Sequence, residues 1–118
     1  MLTLKFVTDI HDTEYEIVEF HGELDQSTLK TAEEQIDLVL EAAKSQYFIF
    51  NLSDMAFINS EGVGFMISVH VKLAKRNKQL YICAPKPNVQ EVFALIGLPK
   101  LIPVFGSAAE AISFLKKK

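Results

Sequence analysis

The run Tyr47-Phe48-Ile49-Phe50-Asn51-Leu52 constrains the fold of this chain more than any other segment. It is almost entirely apolar and rich in strand-forming residues. A strand of this kind is buried on both faces, and such strands usually lie in sheets that are covered by helices. A second run of the same character, Leu80-Tyr81-Ile82-Cys83-Ala84, predicts another buried strand. The two runs therefore predict an α/β fold.

Three further strands complete the predicted sheet. Polar and apolar residues alternate over residues 2–7 and 15–20, the period of two that is typical of half-buried strands. The polar residues between them, 11–13, suit a turn, so we predict an N-terminal hairpin. Pro103 lies in the apolar segment 102–105 and restricts that strand to an edge of the sheet, because proline donates no backbone hydrogen bond.

Two long segments have helical spacing. Apolar residues recur every three or four positions over residues 29–43 and 60–78, which predicts two amphipathic helices. Asp25 or Ser27 is placed to cap the first helix. The second ends in basic residues that suit the negative end of its dipole, namely Lys72, Lys75, Arg76 and Lys78.

Two shorter helices are predicted near the C-terminus. Asn88 is placed to cap the first of them, which Gly97 stops. Ser107 and Glu110 have the spacing of a capping box ahead of the second. This last helix ends in three lysines that we expect to be solvated, Lys116, Lys117 and Lys118. The element order β-β-α-β-α-β-α-β-α predicts a single mixed sheet with about four helices packed mainly on one face.

Length and charge limit the class of protein. The chain has 118 residues, enough for one core of ordinary size, so we expect residues 1–118 to form a single domain. Fifteen acidic residues outnumber twelve basic ones, which disfavours direct binding to nucleic acid. No apolar window is long enough for a membrane span, and the N-terminus does not resemble a secretory signal. We therefore expect a cytoplasmic protein with no membrane span.

Few residues are of the types that bind metals or carry catalysis. The single cysteine, Cys83, lies in a predicted buried strand, which favours a packing role over a reactive thiol. The glycines at 62 and 64 are followed by neither the third glycine nor the lysine of a nucleotide-binding loop. No metal-ligand spacing links the three histidines, His11, His21 and His70. We therefore predict no metal and no other cofactor.

Ser60 has three possible roles. It begins a predicted helix and is followed by Glu61, so it fits a helix N-cap, the role that periodicity favours. The same position would leave its hydroxyl accessible at a strand-to-helix turn, where a phosphate would add about −1.5 to −2 charges without unfolding the helix. The third role is that of a hydrolytic nucleophile, although the segment lacks the GxSxG elbow.

Two glycines in one helical turn need a reason of their own. Each destabilises a helix by about 1 kcal/mol relative to alanine. We therefore infer that the backbone at Gly62 and Gly64 is closely approached, either by the strand that ends at Leu52 or by another molecule.

Three motifs follow one another along the chain: Gly22-Glu23-Leu24-Asp25, then Asn51-Leu52-Ser53-Asp54-Met55-Ala56-Phe57-Ile58-Asn59-Ser60-Glu61-Gly62-Val63-Gly64, then Val92-Phe93-Ala94-Leu95-Ile96-Gly97-Leu98. Together they resemble the STAS domain of bacterial anti-sigma factor antagonists. The resemblance covers nearly the whole chain in the same order. It implies the STAS fold and a regulatory module that is not an enzyme.

The resemblance also implies a mechanism. In that family a turn of the form D-S-[ST]-G-[LIVM]-G carries a serine that a partner kinase, itself the anti-sigma factor, phosphorylates with ATP, and Ser60 falls on that serine. The unmodified protein binds the anti-sigma factor and frees the sigma factor for transcription. The phosphorylated form is released, and a serine phosphatase restores the first state. The partner-binding surface implied by this partner switching comprises Asp25, Asn59, Ser60, Glu61, Gly62, Val63 and Gly64.

Two residues depart from the family turn. Asn59 stands where the family usually has aspartate, and Glu61 stands where it has serine or threonine. One negative charge is lost and another gained, so the charge of the turn is displaced.

Asp25 also has a purely structural interpretation as a helix cap. The alternative function is a STAS subunit of a larger sensory or transport assembly that is not phosphorylated.

Overall fold

The structure, a computed structural model, describes residues 1–9 and 11–117. Lys118, expected at the solvated end of the last helix, lies outside them. Within the described residues six strands form one sheet: β1 (Leu2–Asp9), β2 (Asp12–Leu24), β3 (Tyr47–Asn51), β4 (Met55–Ile58), β5 (Gln79–Cys83) and β6 (Val104–Phe105).

Helices connect most of these strands. The same residues form α1 (Leu29–Ala42), α2 (Ser60–Ala74), α3 (Pro87–Ile96), α4 (Ala108–Lys116) and a short 3₁₀-helix at Leu98–Lys100. The four predicted α-helices are confirmed.

The sheet is mixed, as the sequence predicts. β1 and β2 form the antiparallel N-terminal hairpin, with Lys5 opposite Glu19. β3, β5 and β6 follow across the sheet in the order β1-β2-β3-β5-β6, each parallel to its neighbour. Helical crossovers join these parallel strands, so the carboxyl ends of β2, β3 and β5 lie at one edge of the sheet.

Helices cover both faces of the sheet unequally. Phe48 and Phe50 of β3 are buried in the main core, which α1, α2 and α3 share with the sheet. Ile49, between them, points to the opposite face and joins a smaller core with Ala111 and Leu115 of α4. Successive side chains of a strand point to opposite faces, which explains why the run at residues 47–52 is apolar at nearly every position. Three of the four helices lie on one face, as predicted.

β4 is absent from the sequence-based prediction. Its four residues pair in parallel with the end of β2, Leu24 lying opposite Ile58. All four residues are apolar, but only Met55 and Ile58 are buried, so burial does not alternate along the strand. A strand this short has no periodicity to detect.

The basic end predicted for α2 differs from the one observed. The helix ends at Ala74 and not at Lys78, and Asn77 follows with a left-handed φ of 59°. Arg76 Nη1 donates to the carbonyl of Leu40 at 2.9 Å, and Lys78 Nζ donates to that of Ala43 at 3.1 Å. These cations therefore satisfy the carboxyl end of α1, which has no basic residue in its own last turn.

One predicted cap near the C-terminus is wrong and one is confirmed. Asn88 does not cap α3, since the helix already begins at Pro87, whose fixed φ suits the first helical position. The Asn88 side chain donates instead to the carbonyl of Ala56 at 2.9 Å. Ser107 does cap α4, accepting from the Glu110 amide at 3.1 Å.

Cys83 packs in the smaller core and is fully buried. Burial raises the pKa of its thiol to about 11, because the thiolate is poorly solvated there. The predicted packing role is confirmed.

Candidate functional site

The predicted site residues meet where β2 and β4 end, side by side, at the carboxyl edge of the sheet. The amide of Asn59, directly after β4, donates to the carbonyl of Leu24 at 3.3 Å. Asp25 follows Leu24, so the turns after the two strands lie next to each other. The topology thus brings together motifs that are more than thirty residues apart in sequence.

Asn59, and not Ser60, caps α2. Its backbone is extended, with φ −111° and ψ −177°, and its side-chain Oδ1 accepts from the amide of Gly62 at 2.9 Å. Asparagine and serine are comparably good caps, so sequence preference alone does not separate the two neighbours. The capping role predicted for Ser60 is therefore wrong.

Ser60 occupies the first position inside α2 and is exposed. Among the described residues no hydrogen bond engages its hydroxyl. Glu61, the next residue, is exposed in the same turn. The hydroxyl is therefore accessible at the positive end of a helix dipole, where an added anion is tolerated.

Gly62 and Gly64 have different surroundings. A Cβ at Gly62 would lie 2.7 Å from both the Leu24 carbonyl oxygen and Ile58 Cγ1, so the start of α2 packs tightly against the ends of β2 and β4. The predicted close approach is thus confirmed at Gly62, but the neighbour is not the strand that ends at Leu52. Around the Cβ position of Gly64, no atom of another described element lies within 4 Å.

The seven predicted partner-binding residues divide by burial. Gly62 and Val63 are buried and support the surface from beneath. Ser60, Glu61 and Gly64 are exposed, and Asp25 and Asn59 are half-buried. Five of the seven therefore lie at the surface.

Asp25 holds the turn that leads into α1. Its Oδ1 accepts from the amide of Ser27 at 2.9 Å and from the Ser27 hydroxyl at 2.6 Å. The hydroxyl of Ser27 lowers the pKa of the Asp25 carboxyl below its ordinary value, because it hydrogen-bonds the charged form. Neither residue caps α1 as predicted, since that helix begins only at Leu29, with Thr28 at the N-cap position.

A shallow depression of about 510 Å³ joins the two turns. Its lining residues are Asp25, Gln26, Ser27, Phe57 and Asn59. Phe57 is not among the predicted site residues, yet it is 47% exposed. An aromatic residue two positions before Asn59 was the signal available in the sequence. The surface therefore combines an anionic carboxylate, amides and an exposed aromatic ring.

Neither a metal-binding cluster nor a histidine partner of Ser60 is found among the described residues. No group of three histidine, cysteine, aspartate or glutamate residues within residues 1–9 and 11–117 could hold a metal ion. The ring nitrogens of His21 face Glu19 at 3.1 Å and Asp54 at 3.4 Å, and neither approaches the Ser60 hydroxyl within hydrogen-bonding distance. Within residues 1–9 and 11–117, no histidine therefore pairs with the Ser60 hydroxyl as a general base would.

Helix length bears on the predicted absence of a membrane span. Across residues 1–9 and 11–117, every helix is too short or too polar to cross a lipid bilayer.

Known proteins share this sequence pattern and this fold. The sequence model of the STAS domain family matches residues 6–111. An anti-sigma-B factor antagonist of Staphylococcus aureus is 27% identical over 103 residues, which cover 87% of this chain and 94% of that protein. An anti-sigma factor antagonist from Mycobacterium paratuberculosis superposes with a TM-score of 0.86 at 22% identity, covering 98% and 95% of the two chains. The Bacillus cell fate determinant SpoIIAA in its phosphorylated form gives a TM-score of 0.68 at 23% identity, covering 98% and 99%.

Proposed function

Since the chain belongs to the STAS domain family, we propose that it is an anti-sigma factor antagonist, which binds an anti-sigma factor serine kinase and loses that partner when Ser60 is phosphorylated. A serine phosphatase acting on phospho-Ser60 would restore the binding form. The protein would thereby regulate sigma-factor-dependent transcription in the bacterial cytoplasm without catalysing a reaction itself.

The exposed hydroxyl of Ser60 carries this proposal. It lies at the first position of α2, while the neighbouring Asn59 already caps the helix. Modifying Ser60 therefore removes no hydrogen bond on which the start of the helix depends. A relative in Staphylococcus aureus bears the name of an anti-sigma-B factor antagonist, and SpoIIAA, which shares the fold, has been solved in a phosphorylated form.

Charge explains how phosphorylation would act on binding. A phosphate on Ser60 would add about −1.5 to −2 charges to a surface that already carries Glu61 and Asp25. The helix dipole would stabilise this anion, typically by about 0.3–1 kcal/mol. A partner covering the same surface with acidic or apolar groups would instead meet repulsion of about several kcal/mol. Phosphorylation would then release the partner and leave the fold intact.

The two departures from the family turn fit the proposal. Asn59 supplies the cap that an aspartate would supply, through the hydrogen bond from Gly62. Glu61 returns the missing negative charge to an exposed position on the same turn. The helix start therefore keeps a side-chain cap while the charge moves by two residues.

Phosphorylation by the partner is the direct test. The purified protein is mixed with the candidate anti-sigma kinase of the same organism and ATP, and phosphate is located by mass spectrometry. We expect it on Ser60, with none incorporated by Ser60→Ala. Ser53→Ala is the matched control, because Ser53 is exposed in the turn before β4 and should leave the incorporation unchanged. Phosphate at another residue, or none, would contradict the proposal.

The presence of Glu61 favours one other function, a STAS subunit of a larger sensory or transport assembly without a phosphorylation cycle. An exposed carboxylate next to Ser60 already gives the turn a negative charge that no enzyme has to add. This alternative predicts a complex whose affinity, measured by titration calorimetry, is the same with and without ATP and kinase.

The non-enzymatic part of the proposal has its own test. We expect an activated-serine probe to leave the protein unlabelled. Labelling of the wild type that Ser60→Ala abolishes would show a nucleophilic serine and contradict it.

A further inference from the structure

We infer that Gly64 keeps the hydroxyl of Ser60 accessible. Because position 64 has no side chain, other molecules can reach residue 60. The inference rests on the proposed function for its biological meaning. Its geometry concerns this chain alone and can be tested without any partner.

Helix geometry connects the two residues. Ser60 and Gly64 are four positions apart in α2, so they are neighbours on the same face of the helix, one turn apart. Side chains in an α-helix point back toward its N-terminus and cover the preceding turn. A side chain at position 64 would therefore lie over Ser60.

The other neighbour of Ser60 in the following turn does not cover it. This residue, Val63, is buried in the main core. Position 64 is exposed, and no atom of another described element lies within 4 Å of where its Cβ would be. The space above Ser60 is thus left open by the absence of one side chain.

Packing among the residues that the structure describes does not explain Gly64. Gly62 is needed because a Cβ would collide with Leu24 and Ile58. At Gly64 an alanine would fit and would strengthen the helix. A glycine that weakens the helix without relieving any contact points to a requirement outside the fold, namely the close approach of a macromolecule to Ser60.

Thiol labelling measures this access directly. In Ser60→Cys, the new thiol lies at the start of a helix, where it is reactive, and the only other thiol, Cys83, is buried. The labelling rate with N-ethylmaleimide is compared between Ser60→Cys alone and Ser60→Cys combined with Gly64→Leu. The wild type supplies the background from Cys83, and circular dichroism confirms that each variant is folded.

We expect Gly64→Leu to slow labelling of the thiol introduced by Ser60→Cys by about fivefold or more, because the leucine lies over the preceding turn. Gly64→Ala should slow it less. Ser68→Leu is the matched control, because Ser68 is exposed one turn further along α2 and its leucine would cover position 64 and not position 60. Equal labelling rates with Gly64 and with Gly64→Leu, or an equal effect of Ser68→Leu, would overturn the inference.

Phosphorylation rates separate this inference from the proposed function. If the kinase phosphorylates Ser60, its rate should fall in the order Gly64, Gly64→Ala, Gly64→Leu. If the wild type is not phosphorylated at all, the proposed function fails, and the labelling rates still decide whether Gly64 opens position 60.

Discussion

Asn59 and Ser60 are neighbours, yet only Asn59 holds the start of α2. The side-chain oxygen of Asn59 accepts from Gly62, and its backbone carbonyl accepts from Val63. Ser60 is already inside the helix with its hydroxyl exposed. The structural role and the proposed regulatory role therefore belong to different residues, which can be changed independently.

Alanine substitution should separate these two roles. We expect Asn59→Ala to lower the free energy of unfolding by about 1 kcal/mol, since it removes a cap. Ser60→Ala should change it by less than about 0.5 kcal/mol, as for other exposed positions. Urea denaturation measures both, with Asn59→Asp as a control that keeps the capping oxygen. Equal losses for the two alanine variants would show that Ser60 also holds the helix.

The two glycines of α2 should respond in opposite directions to alanine. Gly62→Ala places a methyl group 2.7 Å from the Leu24 oxygen and Ile58 Cγ1, so we expect it to destabilise the protein by about 1–3 kcal/mol. The added methyl group of Gly64→Ala meets no atom of another element in the described part of the chain, so this variant should stabilise the protein by about 1 kcal/mol through helix propensity. Thermal or urea unfolding of both variants is the measurement. A loss of stability in Gly64→Ala would reveal an intramolecular contact at that position.

At the scale of elements, α2 stabilises α1 through side chains that follow its own last turn. Arg76 reaches the carbonyl of Leu40, and Lys78 reaches that of Ala43. Lys72 adds an exposed ion pair with Asp37 at 3.0 Å, and pairs of this kind contribute little. The hydrogen bonds to the α1 carbonyls are therefore the more important part of this contact.

Removing Arg76 should loosen the end of α1. We expect Arg76→Met to lower the free energy of unfolding by about 1 kcal/mol, because it leaves the Leu40 carbonyl without this donor. Lys75→Met is the matched control, being an exposed neighbour whose loss should change stability by less than about 0.5 kcal/mol. Amide hydrogen exchange should show faster exchange in the last turn of α1 for Arg76→Met only. The same exchange rates in both variants would argue against a stabilising role for Arg76.

An ion-pair cluster attaches α4 to the start of β2 and should make stability depend on pH. Lys116 Nζ lies 2.5 Å from Asp12 Oδ2 and 3.0 Å from Glu14 Oε2. The hydrogen bond from Lys116 lowers the pKa of Asp12 below 3.8, and the two carboxylates, Asp12 first, raise the pKa of Lys116 to about 12.

The direction of each pKa shift determines the pH range in which the ion pair stabilises the fold. The stabilisation from Asp12 is present above its ordinary pKa of 3.8 and is lost as pH falls through its lowered folded pKa. The stabilisation from Lys116 is fully present below its ordinary pKa of 10.5 and is lost as the pH rises through its folded pKa of about 12. The stability difference between the wild type and Lys116→Met should therefore be largest between these limits and shrink at acid pH. Lys117→Met, an exposed neighbour, should show no such pH dependence.

Elements with strong periodicity were predictable from the sequence, and short or context-dependent features were not. The apolar run at residues 47–52 and the stripe over residues 29–43 indicated β3 and α1 almost to the residue. β4 is not predictable in this way, because it has four residues and takes its stability from pairing with β2. Residue type alone cannot locate the cap of α2, because Asn59 and Ser60 are equally suitable by type and only the backbone angles distinguish them.

The candidate surface was only partly predictable for a similar reason. The motifs at residues 22–25 and 51–64 identify Asp25 and Ser60. The second motif also contains Phe57, but only the adjacent ends of β2 and β4 make this residue part of the depression. Likewise, burial distinguishes Gly62 from Gly64, and burial cannot be read from a sequence pattern. Side-chain types were therefore predictable, whereas their accessibility required the fold.

Across the whole molecule, the candidate surface and the two cores occupy different places. The cores fill the two faces of the sheet, while Ser60 lies at the carboxyl edge where β4 ends. Charge added at that edge does not enter either core. Binding and stability should therefore be separable, which is the property that a reversible switch requires.

Ser60→Asp tests this separation. We expect it to weaken binding of the anti-sigma partner by about tenfold or more, because charge repulsion across an interface amounts to several kcal/mol. The free energy of unfolding should stay within about 1 kcal/mol of the wild type, since a helix start accommodates an anion.

Ser113→Asp, at an exposed position of α4 on the other face of the sheet, is the control and should leave the affinity unchanged. Titration calorimetry and urea denaturation measure the two quantities. Equal affinity of Ser60→Asp and the wild type would mean that charge at this edge does not control docking, and a large loss of stability would mean that Ser60 belongs to the fold.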